Sequence, residues 1–278
     1  MPISVLLQGR LGNQLFQYAC CRSISLEKNI DMVIKTDFTH HGQKCLIDHF
    51  NIYNNKKLLN KKYDFVYHEG SLSKYTTLMF DKNVRNIKDK TILVGYFQNY
   101  KYFKNITEII KNDFKLNQSV LNIASTYINN LKKTQKKQKL ISINIRRGDY
   151  NGIYFNEDYV IKYINKCLSK IENIDDKIII IFIGGAISKS DDDINWVKEN
   201  ILLKNYIISP YSINSNIILD LAISKMCDYM IIPIMSTINW WILFLNNNNP
   251  KNNFVPLKDP DNNIISYDLD YNIIEKIE

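Results

Sequence analysis

Residues 141–150 read Ile-Ser-Ile-Asn-Ile-Arg-Arg-Gly-Asp-Tyr, an alternating apolar strand that ends in two adjacent arginines, a glycine and an aspartate. A side-chain period of two puts Ile141, Ile143 and Ile145 on one face and Ser142, Asn144 and Arg146 on the other. Arg147 and Gly148 begin the exit turn, so two guanidiniums can approach one ligand from different directions. Guanidinium is permanently charged and offers a planar fork to phosphate oxygens. Each such charge-assisted hydrogen bond is worth about 1.5–3 kcal/mol, which makes a diphosphate the natural guest. The plainer alternative is a surface turn in which Arg146 or Arg147 pairs with Asp149.

Three other groupings have chemical potential. Gly9-Arg10-Leu11-Gly12-Asn13-Gln14 places two glycines in a strand-to-helix turn, where backbone can approach a ligand and helix N–H groups are free. Asn13 there either caps the helix or meets a sugar hydroxyl. Ser236 and Thr237 stand at a second such turn, ahead of Trp240-Trp241, with phosphate binding and helix capping both open to them. Asp191-Asp192-Asp193 contains the D-x-D spacing that holds a divalent cation on a nucleotide diphosphate, but acids also favour a helix start and the preceding Ser-Lys-Ser suits a solvated loop. No His/Cys cluster has zinc spacing. For a general base, Asp37, His40, His41 and Asp48 fall in one segment of the N-terminal half, with Asp37 the best placed.

These residues need a scaffold, and the apolar periodicity supplies one. Ile3 to Leu7 reads as a strand followed by a helix through Leu15, Phe16, Ala19 and Leu26; strands are expected at 32–34 and 91–95, and helices at 106–114 and 120–131. A second series runs strand 140–145, helix 157–170, strand 178–183, helix 193–202, strand 206–208, helix 215–226, strand 229–232 and helix 237–246. Repeated βα units imply a doubly wound parallel α/β sheet, on which ligands sit outside the carboxyl ends of strands. The lysine-rich stretch between the series marks the expected boundary, giving domains 1–135 and 136–278.

At 278 residues, with 45% hydrophobic and 23% charged residues, the chain has ample core for two such domains. Its net charge of +8 suits nucleic acid, an anionic membrane surface or a phosphorylated small molecule. Nucleic acid would leave the strand-end arginines unexplained. The dense run Lys132, Lys133, Lys136, Lys137 and Lys139 reads first as a solvated connection, with attraction to a membrane surface as the second reading. Five cysteines without C-x-x-C spacing fit a reducing compartment. No leader-like segment precedes the first strand, and the most apolar stretches are too short to span a bilayer. A cytoplasmic location is expected, with peripheral contact at the inner face of a membrane as a further option.

Taken in order, Gly9-Arg10-Leu11-Gly12-Asn13-Gln14-Leu15-Phe16-Gln17-Tyr18-Ala19, the segment from Gly95-Tyr96-Phe97-Gln98-Asn99 to Phe103, Ile145-Arg146-Arg147-Gly148-Asp149-Tyr150, Asp192-Asp193-Ile194-Asn195-Trp196-Val197-Lys198-Glu199-Asn200 and Ser236-Thr237-Ile238-Asn239-Trp240-Trp241 resemble the alpha-1,2-fucosyltransferase family, glycosyltransferase family 11. The resemblance implies a GT-B-like pair of Rossmann-type domains with parallel sheets facing a cleft, the first on the acceptor side and the second binding the donor. It implies a GDP-sugar donor, usually GDP-fucose, a glycan acceptor, inversion at the anomeric carbon, and no metal or other cofactor. It assigns the donor diphosphate to Arg146 and Arg147 with Asp149 as their orienting partner, and turns Gly9, Gly12, Asn13, Asn144, Ser236 and Thr237 toward the donor. Two positions depart from the family pattern. Asn144 stands where histidine is usual and cannot titrate, and Met235 stands where an asparagine would supply an amide. Another GDP-deoxyhexose, such as GDP-rhamnose, or a non-catalytic sugar-binding module is the alternative reading.

Overall fold

Ile3, Val5 and Leu7 are buried, and so are Leu11, Leu15, Phe16, Tyr18 and Ala19, which follow them at helical spacing. The computed structural model describes residues 1–35, 45–56, 62–70, 80–150, 155–184, 190–213, 215–246, 250–256 and 275–277. These form two compact units that meet in sequence between Asn117 and Gln118.

The first unit contains β1 (Ile3–Leu6), α1 (Leu11–Lys28), β2 (Met32–Lys35), β3 (Phe65–His68), β4 (Thr91–Val94) and α2 (Thr107–Asp113). Its sheet is parallel in the order β2-β1-β4-β3. α1 ends where Asn29 adopts the left-handed conformation and its N–H bonds back to Leu26, a terminus that asparagine accepts more readily than most residues. β3 was not expected from the sequence. It is an edge strand with Phe65 and Val66 exposed, so it lacks the alternation that betrays a half-buried strand.

The second unit contains α3 (Gln118–Gln135), β5 (Lys139–Arg146), α4 (Glu157–Ser169), β6 (Lys177–Gly184), α5 (Ser190–Asn200), β7 (Ile207–Ile208), α6 (Pro210–Ile213), α7 (Ile217–Ser224), β8 (Tyr229–Ile231), α8 (Thr237–Phe244), β9 (Asn253–Pro256) and β10 (Glu275–Ile277). The sheet is again parallel, in the order β10-β9-β8-β5-β6-β7. Ile141, Ile143 and Ile145 join Ile179 and Ile181 of β6 in a core with Val160, Ile164 and Cys167 of α4 and Trp196 and Val197 of α5. Full burial of each such side chain contributes about 1.5–3 kcal/mol. The expected boundary at 135/136 follows α3, whereas the structure groups α3 with the second unit. Its buried stripe Val120, Ala124 and Ile128 recurs every fourth residue, the helix packs on α7, and the Tyr127 ring meets that of Tyr211 edge-on.

Candidate active site

In the second unit the chain runs outward from β5 through β6 to β7, then returns to lay β8 on the other side of β5. The carboxyl ends of β5 and β8 therefore flank the point where strand order reverses, the place where open parallel sheets take ligands. Arg146 ends β5 there, half-buried, with its guanidinium 5.0 Å from the centre of the Tyr150 ring and Gly184 of β6 beside it. Beyond β8, Ser236 caps α8 by accepting from the Asn239 N–H at 3.3 Å, and Asn239 Nδ2 donates to Ile234 O. Capping, one of the two readings open to Ser236, is thus its observed contact, while Thr237 opens the helix and stays partly exposed.

The expectation of two guanidiniums converging on one ligand is revised for Arg147. Its Nη1 donates to Asp193 Oδ1 of α5 at 2.7 Å, Nη2 lies 3.5 Å from Glu157 of α4, and the cation sits over the Phe155 and Trp196 rings. Strand alternation is the cause: Arg146 follows the Asn144 face, and the next residue turns into the packed layer of α4 and α5. Breaking a buried ion pair of this kind costs about 3–5 kcal/mol. Asp193, read in the sequence as a helix-start acid or part of a metal motif, is the partner of Arg147. Its first-turn position also suits the helix dipole.

Asn144 is likewise directed inward. Its amide donates to Ser142 Oγ and accepts from Ser224 Oγ of α7, so it is a buried strut rather than a rim residue. A brace that sequence reading missed lies on the same unit. Asp220 of α7 accepts from Ser209 at 2.6 Å and Ser212 at 2.6 Å, and Ser212 Oγ accepts from the Ile183 N–H near the end of β6. Burial pushes the Asp220 carboxyl up to about 6, against the opposing pull of the two hydroxyls. Serines spaced eight and eleven residues from an aspartate give no local signal.

The first unit repeats the topology. β1 lies between β2 and β4, so the reversal falls between β1 and β4. Gly9 takes φ +70°, and a Cβ there would lie 2.4 Å from Asn13 Nδ2. Asn13 does not cap α1, since Arg10 holds that position; its Oδ1 accepts from Gln98 Nε2 at 2.8 Å. Gln17 accepts from the Gln8 N–H and donates to Gly95 O, while Gln14 donates to Gly9 O and accepts from the Leu46 N–H. Gly12 lies buried in the first turn of α1. Glu69, also missed, follows β3 and accepts from the Tyr96 and Phe97 N–H groups and the Tyr102 hydroxyl, with burial raising its pKa. Gly95, at φ +157°, is required beside it, because a Cβ would approach the Glu69 Cβ to 2.4 Å.

Of the proposed catalytic residues, Arg146 stands at a rim. Asp37, with His40 and His41, lies outside the described residues, as does the side chain of Asp149. Asp48 is exposed in a 3₁₀ turn (Ile47–His49). Among the described residues no three His, Cys, Asp or Glu side chains gather in a group that could hold a metal ion, and no helix is long and apolar enough to cross a membrane.

The family model described as Glycosyl transferase family 11 matches residues 73–263. The chain is 23% identical to the O-antigen biosynthesis glycosyltransferase WbnK of Escherichia coli, over 86% of this chain and 89% of that protein. It is 26% identical to an Escherichia coli alpha-1,2-colitosyltransferase, over 87% and 86%. Its fold is similar to those of a mutant of Arabidopsis thaliana FUT1 in complex with GDP (TM-score 0.52, 12% identity, 94% of this chain and 71% of that one) and of the fucosyltransferase NodZ from Bradyrhizobium (TM-score 0.54, 12% identity, 86% and 92%). It also resembles POFUT1 in complex with GDP (TM-score 0.55, 9% identity, 89% and 94%). The GT-B-like α/β class expected from the sequence holds.

Proposed function

The chain belongs to glycosyl transferase family 11, and from that premise we propose that it moves a deoxyhexose, fucose first, from a GDP donor to a glycan hydroxyl, O2 of a terminal galactose. The acceptor oxygen attacks the anomeric carbon opposite the diphosphate. A new C–O bond forms, the bond to the β-phosphate oxygen breaks, and GDP leaves with the electron pair while the acceptor proton passes to a base, for which Asp37 is our candidate. Negative charge grows on the departing diphosphate. The observation that carries this reading is the half-buried Arg146 guanidinium at the strand-order reversal, at the carboxyl end of β5 and on the strand next to β8, after which α8 begins. A fixed cation and oriented N–H groups stabilise such charge without reorganising at the moment of reaction. Arg147, Asn144 and Asp193 act one step back, holding β5 and α5 so that Arg146 has a defined origin.

The match to an alpha-1,2-colitosyltransferase favours a second reading of the donor, a GDP-deoxyhexose other than fucose. Calorimetry with GDP, UDP and ADP, with and without a chelator, tests the common part. GDP should bind at least about tenfold more tightly than the others, a gap of roughly 1.4 kcal/mol, and the chelator should change nothing. Failure of GDP to bind refutes both readings, and release of GDP from a panel of GDP-deoxyhexoses with a galactoside acceptor then separates them.

A further inference from the structure

In a parallel sheet every helix-to-strand connection lies at the amino edge, away from the carboxyl-end rim. In the second unit those connections, taken with the last turn of α3 and the first residues of β5 and β6, are basic. Segments 132–139, 170–177, 201–206, 225–228 and 250–252 hold ten lysines against four acids, and the whole chain carries a net +8. The four acids are Glu172, Asp175, Asp176 and Asp228, and Asp228 is already paired with Lys139. Lys133, Lys136, Lys204 and Lys251 are exposed. Gln135, Lys137, Lys204, Asn205 and Tyr206 line a hollow of about 460 Å³ where β6 and β7 begin. Six strands at roughly 4.8 Å spacing make this edge about 24 Å across.

Two side chains among these connections do not suit a purely polar surface. Leu202 is 90% exposed between α5 and β7, and Met226 is 37% exposed between α7 and β8. We propose that the amino edge of the second unit docks on an anionic phospholipid bilayer, with lysines against the headgroup phosphates, the hollow receiving one headgroup, and Leu202 inserted among the acyl chains. Charge complementarity selects an anionic partner, and the exposed leucine selects a bilayer over a nucleic acid, whose phosphates give an apolar side chain nothing to bury against. This docking leaves the carboxyl-end rim of the same sheet facing away from the lipid, and it stands whether or not the donor is a GDP-sugar.

Co-sedimentation of the full chain with vesicles tests it. Vesicles of phosphatidylcholine with about one-third phosphatidylglycerol should bind the protein, and pure phosphatidylcholine vesicles should not. Raising salt from about 0.1 M to about 1 M, which shortens the screening length from about 10 Å to about 3 Å, should release it. Each lysine near such a surface is worth a roughly five-fold change in affinity, so Lys133→Gln/Lys136→Gln/Lys204→Gln should lose about 100-fold with its melting temperature kept. Leu202→Ser should lose roughly tenfold, with all charge retained. No binding of the wild type to the anionic vesicles, or undiminished binding of the triple variant, overturns the proposal. Equal affinity for a single-stranded oligonucleotide, together with indifference to Leu202→Ser, overturns the bilayer in favour of a nucleic acid.

Discussion

The two units solve one problem in different currencies of polarity. Each has a parallel sheet with a reversal of strand order, and each braces the adjoining loops with a buried carboxylate, Glu69 in the first and Asp220 in the second. What remains at the rim differs. The first unit displays carboxamides, the partly exposed Asn13 and Gln98 bonded to each other, whereas the second displays the half-buried Arg146 guanidinium at the end of β5, next in the sheet to β8, after which α8 begins. Neutral amides donate and accept without a strong field and suit hydroxyl-bearing ligands. A fixed cation with free N–H groups suits a phosphate. Charge used for bracing is turned into the interior in both units, so only the outward residues set which ligand chemistry each rim favours.

The sharpest way to break this contrast is within the second unit, at its adjacent arginines. Arg147→Ala removes one partner of a buried pair and strands Asp193, so unfolding by denaturant should show a loss of about 3–5 kcal/mol. If stability is unchanged, Arg147 is not the brace described. Arg146→Ala should do the opposite: its melting temperature should stay close to that of the wild type, while the rate of transfer falls about 100- to 1000-fold. Near-normal turnover would transfer the diphosphate role elsewhere.

A smaller effect separates the Asp220 brace from the rim. Folding raises this carboxyl from its usual value near 3.8 to about 6, so the folded state binds its proton more tightly than the unfolded chain. The group's contribution to stability is therefore fully present below about 3.8 and is lost as pH rises through about 6. A shift of this size corresponds to at most about 3 kcal/mol. Asp220→Asn should flatten the dependence of melting temperature on pH between about 4 and 7. An identical slope in wild type and variant would place the responsible proton on another group.

Much of the scaffold was legible because its signals are local. The alternation of Ile141, Ile143 and Ile145 located β5, and the acids and Asn156 cap before Tyr159 suit the start of α4. The turn glycines and Ser236 were also found in place. The edge strand β3, the short β9 and β10, and membership of α3 in the second unit were not legible. The edge strand β3 shows no alternation, β9 contains Pro256, which argues against a strand, β10 has only three residues, and a helix between two series can pack on either. The site was half legible for the same reason. That residues 146 and 147 bear guanidiniums follows from the sequence, but their division into one outward and one inward group depends on α4 and α5, which begin 10 and 43 residues after Arg147.

By itself the sequence determined the parallel α/β architecture, the strand-end placement of Arg146 and Arg147 and the family, because hydrophobic period, turn glycines and motif order are properties of neighbours along the chain. Only the tertiary structure decided that Arg147 belongs to Asp193, that Asn144 is a strut to Ser142 and Ser224, and that Glu69 and Asp220 brace the two rims. The partners of a buried charge are chosen by desolvation and packing among distant segments, and no local pattern encodes which of those segments will meet.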